Sequence, residues 1–251
     1  MSRIGEEKRM SQEVKVRGVA DIVFVVDVTG SMQPCIDALR ENIKVFIDTL
    51  ASTDANNGSP VKDWRGRVVG YRDVKADGER DWIIDNPFVR DPSALKAQLA
   101  TLEARGGGDE PESLLDALYR VAKCEDAGKG EPESDQKWRY RSAAARVVVV
   151  FTDASYHASM AIPEAAGGTA ADAKNAMIQS KIRLSIYAPE LPCYDELSDL
   201  PHSEVNLIPL NGASPVAALE AFTRDKANFK NVLQQLAKSV SASSYEVPAS
   251  D

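Results

Sequence analysis

The turn at residues 27–31 constrains the fold of this chain more than any other stretch. It follows an apolar run at residues 22–26, Ile-Val-Phe-Val-Val, and reads Asp-Val-Thr-Gly-Ser. An uninterrupted β-branched run that ends at a glycine turn predicts a strand buried on both faces of a sheet. Asp27, Thr29 and Ser31 then lie at the carboxyl end of that strand, where open α/β sheets bind their ligands.

Strand-like and helix-like segments alternate along the rest of the chain. The predicted strands are residues 19–27, 67–71, 82–89, 146–151, 182–187 and 205–210. The predicted helices are residues 33–51, 91–103, 114–122, 169–181 and 214–240, the last as one or two helices. Asp77-Gly78 predicts a hairpin turn, so the strand at 82–89 returns antiparallel at an edge. The alternation predicts a doubly wound, mostly parallel six-stranded sheet with one antiparallel edge strand and helices on both faces, a Rossmann-like α/β fold.

The length of the chain predicts one large domain. It has 251 residues, of which 43% are hydrophobic, and this is enough for a single well-packed core. We expect a flexible lead-in at 1–17 and the domain itself at 18–241. The domain carries a polar, charged insertion at 125–142, and a flexible tail is expected at 242–251.

Charge and cysteine content argue against several classes of function. Thirty basic and 38 acidic residues give a net charge of −8, which does not suggest a nucleic-acid partner. The three cysteines are far apart and include no C-x-x-C pair, as is typical of a reducing compartment. Residues 1–16 lack the apolar core of a signal peptide, and no run approaches the roughly 18 apolar residues of a membrane span. We therefore expect a cytoplasmic protein with no membrane partner.

Two further polar loops are predicted to reach the same edge of the sheet as Asp27. The loop at 106–112, Gly-Gly-Gly-Asp-Glu-Pro-Glu, precedes a helix, and Asp153 follows the valine-rich strand at 146–151. If the strand at 82–89 is antiparallel, the helix after it carries the chain back to the edge where Asp27 lies. The converging candidates are Asp27, Thr29, Ser31, Asp109 and Asp153.

The chemistry of these side chains favours a hard divalent cation. Carboxylate and hydroxyl oxygens suit Mg²⁺, with Mn²⁺ or Ca²⁺ as alternatives, better than they suit Zn²⁺. Taken alone, the first turn also has a structural interpretation, in which Asp27 caps the next helix while Thr29 and Ser31 close the turn. Three such polar segments, in order along the chain and predicted to reach the same edge of the sheet, favour the metal site over this structural interpretation.

The same three polar segments resemble those of a known family. DVTGSM after an apolar strand, GGGDEPE before a helix and FTDA after a valine strand are similar to the von Willebrand factor type A domain and its metal ion-dependent adhesion site. The resemblance extends from about residue 19 to residue 240. It implies that Asp27, Thr29 and Ser31 are first-loop ligands and that Asp153 is the acidic residue of the third loop.

Asp109 departs from the family pattern, because many members have a threonine there. Three carboxylates around a divalent cation would leave a net charge near −1, and near-surface charges about 4 Å apart interact by roughly 4 kcal/mol at an effective dielectric near 20. A partner's carboxylate would then be attracted less strongly than by a neutral site. Asp109 binding through water, or capping the next helix, are the alternatives.

The resemblance implies a module without catalytic residues that binds another protein through the metal-site face. One alternative is a magnesium-dependent phosphohydrolase or phosphotransferase on a similar sheet, and another is a degenerate domain that binds no metal. His157 is expected to orient Asp153 or to pack against the rim, and Asp73 and Asp77 to belong to the hairpin and rim. By analogy with integrin domains, the closing helix could respond to occupancy of the metal site.

Overall fold

A computed structural model describes residues 18–51, 61–107 and 110–245. Its strands are β1 (Val19–Asp27), β2 (Asp63–Tyr71), β3 (Ile83–Asp85), β4 (Ala145–Phe151), β5 (Ile182–Pro189) and β6 (Glu204–Ile208). Its α-helices are α1 (Gln33–Leu50), α2 (Val74–Asp77), α3 (Pro92–Thr101), α4 (Leu114–Ala122), α5 (Ala170–Gln179), α6 (Asp195–Ser198), α7 (Pro215–Arg224) and α8 (Lys226–Tyr245). The predicted lead-in at 1–17 lies outside the described residues, and α8 continues four residues into the predicted tail.

The six strands form one sheet in the order β3-β2-β1-β4-β5-β6. All neighbouring pairs are parallel except β2 and β3, which are antiparallel. β1 is central, and its last residues align Asp27 with Tyr71 of β2 and Val26 with Phe151 of β4. The predicted fold class is therefore confirmed, and three loops leave the sheet beside the carboxyl end of β1. We call this edge of the sheet the Asp27 edge.

The two faces of the sheet are covered by different helices. Because successive strand residues point to opposite faces, β1 supplies Val23 and Val25 to one core and Phe24 and Val26 to the other. The first core includes α4 and α5, and the second includes α1, α3, α7 and α8. Burial of β1 on both faces explains why its sequence is a continuous apolar run.

The connection between β2 and β3 differs from the predicted hairpin. Instead of a two-residue turn at Asp77-Gly78, the chain forms the one-turn helix α2. The side chain of Asp73 caps this helix by accepting a hydrogen bond from the Lys75 amide, and the Val74 amide donates to the hydroxyl of Ser113. The antiparallel edge strand was nevertheless predicted correctly, because β3 follows this helix and pairs with β2 in reverse.

The segment predicted as an insertion is anchored to the opposite edge of the sheet, where β1 begins. Trp138 is fully buried, and the backbone amide of Arg139 donates to the carboxylate of Asp21 on β1. Arg65 on β2 pairs with the same carboxylate at 2.8 Å. No helix among the described residues has the length and apolar content needed to cross a bilayer.

Candidate metal site

Asp27 is the last residue of β1, and its side chain is completely buried. Its Oδ1 accepts hydrogen bonds from the Thr29 amide (2.9 Å) and hydroxyl (2.7 Å), and its Oδ2 accepts one from the Thr152 hydroxyl (2.9 Å). Burial, with the nearby charge of Asp153, raises the pKa of Asp27 to about 7. The carboxylate is held in one orientation, and no basic side chain in the described part of the chain pairs with it.

Thr29 and Ser31 begin the connection from β1 to α1. Thr29 is buried, and a single 3₁₀ turn at Gly30–Met32 follows it and leads into α1. Ser31 is exposed and its side chain hydrogen-bonds the carboxylate of Asp153. Since a hydroxyl that donates a hydrogen bond keeps two acceptor lone pairs, both hydroxyl oxygens can still face a cation.

Asp153 follows β4, which is the neighbour of β1 in the sheet. Burial raises the pKa of its carboxyl group, although the hydrogen bond from Ser31 opposes that rise. The adjacent Thr152 links the two loops, because its hydroxyl donates to Asp27 and accepts from the Ala154 amide. The structure thus brings Asp27, Thr29, Ser31 and Asp153 together, as the sequence analysis predicted.

A cavity of about 370 Å³ opens between these loops, and we call it the site cavity. It is lined by Thr29, Gly30, Ser31, Gly106, Gly107, Glu110, Glu112, Asp153, Ala154, Pro215 and Val216. Gly107 has a φ of +71°, and a Cβ on it would lie 2.7 Å from Cγ2 of Thr29. Only glycine therefore fits where the loop passes over Thr29. Asp109, the remaining predicted ligand, lies outside the described residues.

Glu112 is the functional candidate that the sequence analysis missed. It lines the site cavity but is only 4% exposed, and its Oε2 has no hydrogen-bond partner among the described residues. Burial, with the charges of Asp27, Asp73, Asp77 and Asp153, raises its pKa to about 8. A buried glutamate oxygen without a partner is costly, and either a water molecule or a cation would satisfy it.

The backbone fixes Glu112 beside the third loop. Its amide donates to the carbonyl of Ser155 (2.9 Å), and its carbonyl accepts from the amide of His157 (3.0 Å). The sequence contained one signal for this role, since Glu112 belongs to the same polar loop as Asp109. Asp109 was predicted instead because it stands at the loop position where many members of the resembled family have a threonine.

His157 does not orient Asp153 in the way that was expected. Its Nε2 lies 3.0 Å from Oδ1 of Asp73, and the same oxygen accepts a hydrogen bond from the hydroxyl of Ser113 (3.0 Å). His157 therefore fixes Asp73, the residue that caps α2. Asp77, at the end of α2, accepts a hydrogen bond from the Gly107 amide (3.1 Å) and so holds the glycine loop in place.

The oxygen atoms at this site fit a hard cation if carboxylates and hydroxyls both serve as ligands. Among residues 18–51, 61–107 and 110–245, no three histidine, cysteine, aspartate or glutamate side chains are arranged to hold a metal ion by themselves. The hydroxyls of Thr29 and Ser31 complete the set, which is the oxygen-only chemistry that Mg²⁺ and Ca²⁺ accept. None of the ion pairs between described residues includes Asp27, Glu112 or Asp153.

Comparisons with known proteins yield structural similarity only. No protein-family model matches the chain, and no curated protein matches it. Proximal thread matrix protein 1 from the mussel byssus is similar over 83% of this chain and 48% of its own, with 15% identity and a TM-score of 0.44. The pilus adhesin SpaC from Lactobacillus rhamnosus GG, in its open conformation, is similar over 85% of this chain and 30% of its own, with 14% identity and a TM-score of 0.43. The chain spans less than half the length of either protein.

Proposed function

We propose that this protein is a non-enzymatic interaction module that binds another protein through a divalent cation at the Asp27 edge. One observation carries the proposal. Three carboxylates, those of Asp27, Glu112 and Asp153, are buried around or beside the site cavity without a cationic partner among the described residues. Two hydroxyl side chains line the same cavity, and Ser31 at its rim is exposed to solvent.

The electrostatics of these side chains support a bound cation. Each buried carboxylate loses hydration, the charge of Asp153 raises the pKa of Asp27, and both aspartates raise the pKa of Glu112 by repulsion. A divalent ion would reverse both effects, because it stabilises the ionised form of every carboxylate that it contacts. Two aspartates would balance its charge, and ionised Glu112 would leave a net charge near −1 without any contribution from Asp109.

Each residue has a distinct role in this proposal. Asp27 and Asp153 supply charge, while Thr29 and Ser31 supply neutral oxygen atoms. Glu112 closes the inner wall of the site cavity. The bound ion would act as a Lewis acid and keep one position open for an oxygen atom from the partner protein, which is what the resemblance to von Willebrand factor type A domains implies.

The surroundings of the site cavity support a protein partner. Val216, at the start of α7, lines the cavity and is 41% exposed, which is unusual for a large apolar residue on this surface. Pro215 and Ala154 lie on the same lining. A partner that donates an oxygen atom to the metal would therefore also cover an apolar rim.

The proposal is tested by pull-down from native lysate with Mg²⁺ or with a chelator. Wild type should retain a partner only with Mg²⁺, and Asp27→Asn should retain none, because it removes charge and preserves shape. Asp48→Asn is the matched control, since Asp48 is an exposed aspartate on α1 that pairs with Lys44 and does not line the site cavity. A partner retained equally with chelator would contradict the proposal.

A second arm of this experiment distinguishes the proposed module from a magnesium-dependent phosphohydrolase. Wild type is incubated with a general phosphoester substrate and Mg²⁺. We expect no turnover above the buffer. Turnover that is lost in Asp27→Asn and kept in Asp48→Asn would favour the enzyme over the interaction module.

A further inference from the structure

A second cavity, of about 330 Å³, lies at the opposite edge of the sheet from Asp27. It is formed by the first residues of β4 and β5, the end of α5, the turn before β6 and the last turns of α8. We call it the basic cavity because its charged lining residues are Arg141, Arg146, Lys181 and Arg183; His202 lines it as well. Among the described residues, no aspartate or glutamate lines it.

This concentration of positive charge contrasts with the whole chain, whose net charge is −8. Asp126 pairs with Arg146 at 2.9 Å from outside the lining, and Arg183 donates to the Ser243 hydroxyl. The side chains of Arg141 and Lys181 form no hydrogen bond or ion pair with another described residue. Without counting Arg183, the cations Arg141, Arg146 and Lys181 are therefore contacted by one acid among the described residues, Asp126, and this favours an anion with more than one charge.

Arg146 gives the basic cavity a preformed anion-binding group. The residue is 1% exposed, and its two terminal nitrogens donate to the carbonyls of Ser180 (3.1 Å) and Arg139 (2.7 Å). Its Nε is buried and has no partner among the described residues. A guanidinium fixed by backbone carbonyls loses little side-chain entropy when it binds an anion.

The backbone provides an independent observation at Lys181 and His202. Both have left-handed conformations, with φ of 54° and 60°, and both line the basic cavity. Lys181 follows the C-cap of α5, a position where glycine is the usual residue because it adopts positive φ without strain. A lysine at this position keeps a positive charge at the cavity where a glycine would be the more stable choice.

The rest of the lining is apolar. Ile178, which is 50% exposed, faces this cavity together with Ile182, Ala144, Ala145 and Pro201. The volume is at the lower end of the range of small-molecule sites, roughly 300–1,000 Å³. The occupant that fits this lining has a compact apolar body and an anionic head.

We propose that the basic cavity binds small phosphate monoesters with a compact apolar or ring-shaped body. A phosphate monoester carries about −1.5 to −2 charges at neutral pH and has three acceptor oxygens, whereas a carboxylate carries one charge. The head group contacts Arg146, Lys181 and Arg141, and the body covers Ile178. The site is separate from the Asp27 edge and does not depend on the cation proposed there.

The test is calorimetry with phenyl phosphate, inorganic phosphate and phenol, on the full chain without added divalent metal. Phenyl phosphate should bind in the millimolar range, inorganic phosphate more weakly, and phenol not at all. Lys181→Gln should weaken phenyl phosphate about tenfold, the loss expected for one charge-assisted hydrogen bond. Lys96→Gln, which removes an exposed lysine on α3, should change nothing.

Two further variants separate ligand binding from folding. Lys181→Gly relieves the left-handed strain, so the melting temperature should stay the same or rise while phenyl phosphate binding weakens. Ile178→Glu places a negative charge at the half-exposed rim and should abolish binding without unfolding the protein. No binding of phenyl phosphate to wild type would overturn the proposal, as would full affinity in Lys181→Gly. Equal affinity for phenyl phosphate and inorganic phosphate would contradict the proposed contact between the apolar body of the ligand and Ile178.

Discussion

At the scale of single residues, Glu112 is the residue that distinguishes a cation site from a turn that is merely polar. A carboxylate that only closed a turn would be hydrogen-bonded, yet Oε2 of Glu112 has no partner among the described residues. Glu112→Gln keeps the shape of the side chain and removes its charge. We expect calorimetry to show Mg²⁺ affinity reduced by about tenfold, the effect of one weakened charged contact.

Glu112→Gln should weaken Mg²⁺ binding, but at high pH it should raise the stability of the metal-free protein. Burial and neighbouring charges raise the pKa of Glu112 from 4.5 to about 8, so the folded apo protein holds this proton more tightly than the unfolded chain. Stability therefore falls as the pH rises from about 4.5 to about 8. Glu112→Gln should melt at a higher temperature than wild type at pH 9 and at the same temperature near pH 4. A lower melting temperature at pH 9 would show that Glu112 holds the loop together.

Metal binding should depend on pH through Asp27. Its pKa is raised from 3.8 to about 7, and a cation binds only the ionised form, so binding must displace a proton below that value. Mg²⁺ affinity should increase between about pH 5 and pH 7, and proton release should appear as a heat that depends on the buffer. Affinity that stays constant over this range would mean that the ion does not contact Asp27.

The residues of the site were predictable to different degrees. Asp27 and Asp153 directly follow apolar strands, so their position at the end of the sheet could be inferred from the chain itself. The burial of Glu112 could not, because it depends on the Gly107 loop passing over Thr29 and on contacts with the loop at Ser155. These contacts join parts of the chain that are far apart in sequence.

At the scale of elements, α7 connects the site cavity to the second core. Pro215 and Val216 in its first turn line the cavity, whereas Leu219 one turn later belongs to the second core, as does Phe229 of α8. Metal and partner should therefore slow hydrogen exchange in the first half of α7. Helix α5 lies on the other face of the sheet and should be unchanged. Identical protection of α7 in all states would show that this helix is static.

The helix α4 holds the third loop of the site in position. Asp116 on α4 is buried, and its Oδ1 accepts hydrogen bonds from the amides of Ala161 (2.7 Å) and Ile162 (2.9 Å). Asp116→Ala leaves two amides unpaired, so we expect a loss of about 2–5 kcal/mol in the free energy of unfolding. Denaturant titration measures this loss. A change below about 1 kcal/mol would show that water or the loop satisfies both amides.

The elements also show where sequence patterns are insufficient. The span of β1 was predicted without error because an uninterrupted apolar run has few alternatives. The helix α2 was predicted as a hairpin turn, since Asp-Gly is a strong turn signal when only neighbouring residues are considered. In the structure Asp73 and Ser113 satisfy the first amides of α2, and Ser113 belongs to a different part of the chain.

At the scale of the whole molecule, the parallel sheet collects polar loops at one edge and basic side chains at the other. A ligand that binds only the folded state stabilises it by about 2.7 kcal/mol at 100 times its dissociation constant. Mg²⁺ should therefore raise the melting temperature of wild type, and phenyl phosphate should raise it independently. Their effects should add, because the two sites lie at opposite ends of the strands.

The most direct measurement is a calorimetric titration of the metal-free protein with Mg²⁺ and with Mn²⁺, carried out in parallel on wild type, Asp27→Asn and Asp48→Asn. A cation at the Asp27 edge predicts one site in wild type and in Asp48→Asn. It predicts no measurable binding in Asp27→Asn, whose circular dichroism spectrum should match that of wild type. Equal affinity in wild type and Asp27→Asn, or no binding in a folded wild type, would contradict the cation site.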